Sequence, residues 1–209
     1  RTSAPRAAQR ASAARRGTGA TPLIRVTRAD LHVEYRRVLE GVDWVLRRGE
    51  HWAITGANGA GKSSFLRLLY GDLAPADGGS IERTGFARGT PIEEWKKTVG
   101  YVSPDLQADY AIDVSIRDLV ISGRHASIGL NERADADDIA AVRYWIRHFD
   151  LEEFIHRRPR ELSYGQLRRA LLARAMAAAP RLLLLDEPFT GLDAAQRAAM
   201  RSMLDGLMA

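Results

Sequence analysis

The glycine-rich stretch GANGAGKSS, residues 56–64, constrains the fold of this 209-residue chain more than any other segment. It follows a strand-like run at 50–55 and leads into a run with apolar residues at helical spacing. It matches the pattern G-x-x-x-x-G-K-[ST] at Gly56, Gly61, Lys62 and Ser63. In such a loop successive backbone N–H groups can face a phosphate, and the helix N-terminus adds a partial positive charge. The stretch therefore predicts a phosphate-binding loop between a strand and a helix.

We expect every residue of this loop to contact a nucleoside triphosphate: Gly56, Ala57, Asn58, Gly59, Ala60, Gly61, Lys62, Ser63 and Ser64. Lys62 supplies a positive charge for the β- and γ-phosphates, and Ser63 offers its hydroxyl to Mg²⁺. The alternative is a glycine-rich turn that matches the pattern by chance, which is expected in about one chain in a hundred. The strand and the helix on either side favour the nucleotide site.

Two adjacent carboxylates, Asp186 and Glu187, follow the apolar run RLLLL at 181–185. The run predicts a short, fully buried strand of a parallel sheet. Downstream of a phosphate-binding loop, Asp186 is expected to bind Mg²⁺ and Glu187 to orient or deprotonate the attacking water. The alternative is a buried strand that simply ends in polar turn residues.

Strands alternate with helices outside a helical insertion, which indicates an α/β fold. We expect a mostly parallel sheet, an N-terminal antiparallel β subdomain, and a helical subdomain at about 108–175. One helix should begin at a cap of Asp113 or Ser115 and end at Gly123. A second should place one apolar face inward: Ile139, Val142, Ile146 and Phe149. The other strand-like runs are at 23–26, 31–35, 42–46, 78–85 and 98–102.

Composition excludes several other classes of protein. The net charge of +5 comes from residues 1–22, which hold five arginines and no acidic residue. This segment should form a disordered tail. The rest of the chain carries 26 basic and 26 acidic side chains. The globular part is therefore neutral, and the basic pI does not indicate nucleic-acid binding. The chain has no cysteine for disulfides or thiolate metal sites. Its apolar runs are too short for a membrane span, so a membrane role requires a partner.

Two further motifs narrow the choice among nucleotide-binding proteins. LSYGQ at 162–166 opens a helix between the loop and the carboxylate pair, and FTGLD at 189–193 follows the pair. With the loop and Asp-Glu in this order, the chain resembles the ABC-type ATPases from about residue 23 to its end. The stretches GEHWAITGANGAGKSS, SPDLQADY and LSYGQLRR together resemble the branch of ATP-binding proteins of molybdate uptake.

The resemblance implies that two cassettes pair head to tail around two ATP molecules with Mg²⁺. Each site would combine the loop of one cassette with the signature of the other, which contributes Ser163, Gly165 and Gln166. Asp193 of the FTGLD motif would also belong to the site. The hydroxyl of an N-cap serine and the free N–H groups of its helix suit an anion. The same stretch also suits an ordinary capped helix. Tyr35 corresponds to the aromatic residue that stacks on adenine, although ordinary packing is an alternative.

The chain departs from the family pattern at two positions. Tyr164 replaces the usual glycine of the signature, and we expect its side chain to turn away from phosphate and leave the backbone donors free. Pro104 occupies the usual position of the Q-loop glutamine. We expect Gln107, on a slightly longer loop, to contact Mg²⁺ and water; an exposed loop glutamine is the alternative.

The family also carries a switch histidine on a strand that follows the helix after FTGLD. The last histidine here is His156, and the sequence ends within that helix. We therefore expect a C-terminally truncated copy that hydrolyses ATP weakly and is less stable than a version with the missing segment restored.

The resemblance implies an ATPase subunit that drives a membrane-spanning transporter subunit from the cytoplasmic face. The helical insertion at 107–129 would meet that subunit, with 122–130 as a possible contact or a plain exposed loop. The alternative is an ABC ATPase acting on ribosomes or DNA, although no heptad coiled coil separates the loop from the signature. A small-molecule kinase would leave the LSYGQ motif unexplained. None of these residues specifies the cargo or the direction of transport.

Overall fold

The computed structural model describes residues 12–13, 21–109, 113–125 and 134–207. They form two compact units, divided between Trp95 and Lys96. Most of the basic tail, and residues 126–130 of the suggested membrane contact, lie outside the described residues.

The first unit contains a three-stranded antiparallel sheet with the order β3-β2-β5. Its strands are β2 (Pro22–Val33), β3 (Arg36–Arg47) and β5 (Ser80–Arg83). The two strands predicted at 23–26 and 31–35 are one strand, β2, and Glu34 and Tyr35 lie in the turn that follows it. Register shifts against β3 occur between Val26 and His32, where Ala29 is buried, so the strand continues through the residues that separated the two predicted runs.

The described part of the first unit also contains two short strands, one helix and most of a second helix. The strand β1 (Ser12–Ala13) pairs antiparallel with β4 (Trp52–Ala53), which precedes the glycine-rich loop. The loop leads into helix α1 (Lys62–Tyr70). Helix α2 (Ile92–Lys96), which the sequence did not predict, begins in this unit and ends across the boundary.

Trp95 of helix α2 forms a hydrogen bond to the last turn of α1. Its indole N–H, which is buried, donates a hydrogen bond of 3.0 Å to the carbonyl of Leu69, and the Arg83 guanidinium donates one of 3.2 Å to the carbonyl of Leu68. The last carbonyls of a helix have no partner within the helix, so these bonds satisfy groups that would otherwise be unpaired.

In the second unit, β6 (Val99–Val102) pairs in parallel with β7 (Leu182–Leu185). The other pairings among the described strands are antiparallel. The expectation of a fully buried β7 was wrong: Leu184 is buried, but Leu182, Leu183 and Leu185 are half-buried, whereas β6 is buried throughout. Among the described strands β7 has one neighbour, so its other edge is less covered.

Four helices supply most of the described core of the second unit: α4 (Ile116–Ser122), α5 (Ala136–His148), α6 (Tyr164–Ala177) and α7 (Ala194–Leu207). The short helix α3 (Pro104–Asp109) precedes them and follows β6. Ser115 caps α4 as predicted, accepting a hydrogen bond from the N–H of Asp118, and α4 ends before Gly123. Val142, Ile146 and Phe149 are buried as predicted, but Ile139 at the start of α5 is 39% exposed.

Asp138 anchors the first turn of α5. Its carboxylate accepts hydrogen bonds of 2.7 Å from the Arg124 guanidinium and 3.4 Å from the N–H of Asp135, and lies 3.2 Å from His125 Nε2. The pKa of Asp138 lies below its usual range, chiefly because Arg124 donates to its charged form.

None of the helices in the described residues has both the length and the hydropathy that a membrane span requires.

Candidate functional site

The glycine-rich loop has an exposed backbone that turns into α1 without a side-chain cap. Gly59 and Gly61 have φ angles of +77° and +85°, and the Phe65 N–H donates to the Gly61 carbonyl at 2.8 Å to begin the helix. The N-cap residue Gly61 forms no side-chain capping bond. The first N–H groups of α1 therefore need a partner from outside the helix, as an anion-binding terminus requires.

Lys62 is held by its own loop. Its ammonium group donates hydrogen bonds of 3.1 Å to the Gly56 carbonyl and 2.9 Å to the Ala57 carbonyl. The positive charge is thus fixed at the mouth of the loop, beside the uncapped start of α1. Residues 56–59 and Ser63 are exposed, whereas Ala60 and Ser64 are half-buried. This donor set fits a phosphate chain.

Aromatic and acidic side chains support the segment before the loop. The Trp44 ring makes edge contacts with Trp52 and Phe65, at centroid distances of 5.4 and 5.3 Å. The buried Glu50 carboxylate accepts hydrogen bonds from the Arg47 N–H at 2.9 Å and from the Trp52 indole at 3.2 Å. The bond from Arg47 holds the pKa of Glu50 below its usual range. These contacts tie β3, β4 and α1 together around the loop.

Tyr35 lies at the tip of the β2–β3 hairpin, with φ of +62°. Its side chain is fully exposed, so it does not pack against the described residues, which was the alternative considered. A free aromatic face suits stacking on a base, and the adenine contact stays a prediction.

The two carboxylates lie directly after β7. Asp186 is buried, and its N–H donates to the Val102 carbonyl at 2.9 Å, which extends the parallel pairing by one residue. Glu187 is exposed and has φ of +49°, a left-handed conformation that is uncommon for a residue with a side chain. Its carboxylate accepts a hydrogen bond of 3.1 Å from the Thr190 hydroxyl. Such conformations often occur at functional sites.

Gln107 lies in helix α3, so the expectation of a longer loop was wrong. The residues after Pro104 form one short helix because proline at a first helical position is favourable. The side-chain oxygen of Gln107 is buried and has no hydrogen-bond partner among the described residues. A buried amide oxygen without a donor suits a hard cation or a water molecule. Among the described residues no group of three or more acidic or histidine side chains could hold a metal ion.

The signature forms the predicted capped helix. The Ser163 hydroxyl accepts a hydrogen bond of 3.3 Å from the Gln166 N–H, and the Gln166 side chain accepts one of 2.8 Å from the Ser163 N–H. The serine oxygen is an acceptor here, so its own proton can still be donated to an anion. Gly165 is buried, and a Cβ atom there would meet Leu192 and Gln196 of the same chain at 3.4 Å.

Asp193 caps α7 in the same way. Its carboxylate accepts a hydrogen bond of 2.8 Å from the Gln196 N–H, and the Gln196 side chain accepts one of 3.3 Å from the Asp193 N–H. The Tyr164 ring lies against Gly191 in the turn between β7 and α7. The first turn of α6 and the FTGLD turn are therefore neighbours.

A model of the family described as ABC transporter matches residues 39–190. This range includes the loop, Gln107, the signature and both carboxylates. The chain belongs to the ABC transporter family. The match confirms the resemblance inferred from the motifs. Tyr35 and Asp193 lie just outside the matched range.

Curated relatives of this ABC domain include proteins of molybdenum and zinc systems. It is 36% identical over 176 residues to the ABC transporter ATP-binding protein ModF of Escherichia coli K12, covering 83% of the chain and 36% of ModF. It is 36% identical over 172 residues to the molybdenum import ATP-binding protein ModC of Mycobacterium tuberculosis, covering 80% and 46%. It is 32% identical over 172 residues to the zinc uptake system ATP-binding protein ZurA of Listeria innocua, covering 82% and 66%. The ABC domain thus spans between one third and two thirds of these relatives' lengths.

Solved structures confirm the fold. The ABC domain superposes on cbiO1 from Clostridium perfringens, part of the ABC transporter complex cbiONQ, with a TM-score of 0.70, 23% identity and coverage of 90% of this chain and 74% of that one. It also superposes on the ADP conformation of MJ1267, an ATP-binding cassette, with a TM-score of 0.70, 16% identity and coverage of 90% and 77%. The α/β class with an antiparallel β subdomain and a helical part is therefore confirmed.

Sequence reasoning missed Arg168 of this ABC domain. Its side chain is completely buried, and its Nε and Nη1 atoms have no hydrogen-bond partner among the described residues. Its Nη2 atom donates to the Tyr164 hydroxyl. The signal in the sequence was the four-residue spacing of Tyr164 and Arg168, which places both on one face of a helix.

Proposed function

We propose that this ABC domain binds and hydrolyses ATP with Mg²⁺ as a subunit of a transporter. It pairs head to tail with a second cassette around two ATP molecules and drives a membrane-spanning partner from the cytoplasmic face. The observation that carries the proposal is the loop at 56–64, with its uncapped helix start and its fixed Lys62 ammonium. ModF, ModC and ZurA, which are named as ATP-binding proteins of transport systems, support the assignment.

Different residues of the chain would bind the phosphates, bind Mg²⁺ and activate the attacking water. The loop N–H groups and Lys62 would hold the phosphates, and Ser63, Gln107 and Asp186 offer oxygen atoms to Mg²⁺. When bound, Mg²⁺ neutralises the charge that develops on the phosphate oxygens. Glu187 accepts a proton from the water that attacks the γ-phosphorus, while the bond from that phosphorus to the leaving oxygen of ADP breaks.

The second cassette would complete each site. Ser163 donates its hydroxyl proton to the γ-phosphate held by the partner, and the first turn of α6 contributes its partial positive charge. Gln166 positions the serine through the reciprocal capping bonds. Tyr35 stacks on adenine, and Asp193 presents the FTGLD turn to the partner cassette.

Calorimetric titration with a non-hydrolysable ATP analogue and Mg²⁺, combined with light scattering, tests the proposal. Lys62→Met should weaken binding at least about tenfold, since a charge-assisted phosphate contact contributes about 1.5–3 kcal/mol. Arg48→Met removes an exposed cation in the same unit and is the matched control. Absence of binding by the unaltered chain, or equal binding by Lys62→Met, would contradict the nucleotide site.

Hydrolysis is tested separately with Glu187→Gln. This variant should bind the analogue normally and lose at least about a hundredfold in kcat, since general-base catalysis contributes about that much. Glu153→Gln changes an exposed carboxylate in the same unit and should leave kcat unaltered. Co-purification with a membrane subunit, as opposed to ribosomes or DNA, distinguishes the transporter role from the alternative.

A further inference from the structure

Tyr164 and Arg168 contact each other in the first turns of α6. The Arg168 guanidinium carbon lies 5.2 Å from the centre of the Tyr164 ring, and Nη2 donates to the Tyr164 hydroxyl. Arg168 is completely buried, whereas Tyr164 is 39% exposed. The ring therefore lies between a buried cation and the surface.

Without Tyr164, the buried cation would be poorly compensated. Its Nε and Nη1 atoms already lack partners among the described residues. Burial of a charged group without full hydrogen bonding is costly. The ring face and the hydroxyl of Tyr164 offset part of that cost. The conformation of Tyr164 is thereby tied to the buried position of Arg168.

The Tyr164 ring also contacts the FTGLD turn. A Cβ atom on Gly191 would lie 2.8 Å from Cε1 of Tyr164, and Gly191 has φ of +77°. Next to this contact, the Arg197 guanidinium donates a hydrogen bond of 2.8 Å to the Leu192 carbonyl. The turn is thus held from the α6 side by Tyr164 and from the α7 side by Arg197.

We propose that Tyr164 and Arg168 are positioning residues that fix the turn at 190–193 against the first turn of α6. Ser163 and Asp193, which begin α6 and α7, then face a second cassette as one preformed surface. Two elements that would otherwise be ordered separately on pairing are ordered beforehand. The proposal rests on the pairing of cassettes proposed above, and it gives a role to the tyrosine that replaces the usual signature glycine.

A double-mutant cycle on the unfolding of the chain in urea tests the coupling itself. Tyr164→Phe should raise the unfolding equilibrium constant about tenfold while Arg168 is present, and about twofold or less in the Arg168→Met background. Tyr144→Phe removes the hydroxyl of an exposed tyrosine and is the control. Equal effects of Tyr164→Phe in both backgrounds would overturn the coupling.

A second cycle tests the contact with the turn. Gly191→Ala suffers backbone strain in any background, but the contact with the ring exists only with Tyr164. The alanine should therefore be less destabilising in a Tyr164→Gly background than in the unaltered chain. The same loss in both backgrounds would place the ring elsewhere and overturn the proposal.

The effect of Tyr164 and Arg168 on the reaction is tested by measuring kcat, KM for ATP, and pairing of the cassettes by light scattering. Tyr164→Gly/Arg168→Met has neither ring nor buried cation, and its kcat should fall about ten- to a hundredfold with KM within about twofold. Tyr164→Phe/Arg168→Met restores the ring without the cation that holds it, so its kcat should recover only part of that loss. If both double variants keep the unaltered kcat and pairing, the positioning role is overturned while the proposed function stands. If the unaltered chain neither binds the analogue nor pairs, both fail.

Discussion

Three glycines of the phosphate-binding loop are in different surroundings, so their alanine variants separate two physical effects. At Gly56, φ lies outside the left-handed range and a Cβ atom would make ordinary contact with Ala60 at 3.4 Å. At Gly59, φ is +77° and a Cβ atom would meet nothing within 4 Å. At Gly61, φ is +85° and a Cβ atom would lie 2.9 Å from the Val38 carbonyl oxygen.

The expected losses follow from these surroundings. Gly56→Ala should change the free energy of unfolding by less than about 0.5 kcal/mol. Gly59→Ala should cost about 1–2 kcal/mol, the cost of a left-handed residue with a side chain. Gly61→Ala should cost the same plus about 1–3 kcal/mol, because its Cβ atom would press on a backbone oxygen and also lie 3.0 Å from Leu39. Affinity for the ATP analogue should fall in the same order.

Urea unfolding monitored by tryptophan emission measures the free energy of unfolding, because Trp44 and Trp52 lie beside the loop. Calorimetric titration measures the affinity for the ATP analogue. Equal losses for Gly59→Ala and Gly61→Ala would refute the argument from the Val38 contact. A loss at Gly56→Ala as large as at Gly59→Ala would refute the argument from φ.

Three other predictions concern single side chains. Trp95→Phe leaves the Leu69 carbonyl without its donor and should lower the free energy of unfolding by about 1–3 kcal/mol in urea unfolding; an unaltered midpoint would contradict it. Asp138→Asn removes a carboxylate whose pKa the Arg124 hydrogen bond lowers, so its stabilisation is complete above the ordinary aspartate pKa of about 4 and is lost as the pH falls through the lowered value. The difference in urea midpoint between the unaltered chain and Asp138→Asn should be largest at neutral pH and should disappear in acid. A difference that does not change with pH would contradict this prediction. Gln107→Ala should reduce Mg²⁺-dependent ATPase activity, and normal turnover would exclude its metal role.

The parts of the site that could be predicted from sequence depend on residues within one turn of each other. Ser115 and Ser163 cap helices because an N-cap bond joins a side chain to an N–H three residues later. The loop pattern likewise predicted the start of α1 at Lys62. These features follow from interactions between residues that are close in sequence.

The features that sequence reasoning missed depend on distant neighbours. Strand β2 continues through Ala29 because register shifts against β3 bury that residue, and the pairing cannot be read from β2 alone. The role of Trp95 depends on its contact with Leu69, which lies 26 residues away along the chain. Ile139 fits the apolar face of α5 by spacing, but it lies in the first turn, where the core does not reach it.

The left-handed residue after β7 gives two consecutive carboxylates unlike environments. Asp186 stays in the layer of the sheet, shielded from solvent, while the reversal at Glu187 turns the next carboxylate into water. A carboxylate shielded from water interacts more strongly with a nearby cation than an exposed one does, because the surroundings screen the charges less. For the roles proposed above, Asp186 beside Mg²⁺ and Glu187 beside the attacking water, a single left-handed residue thus provides both environments.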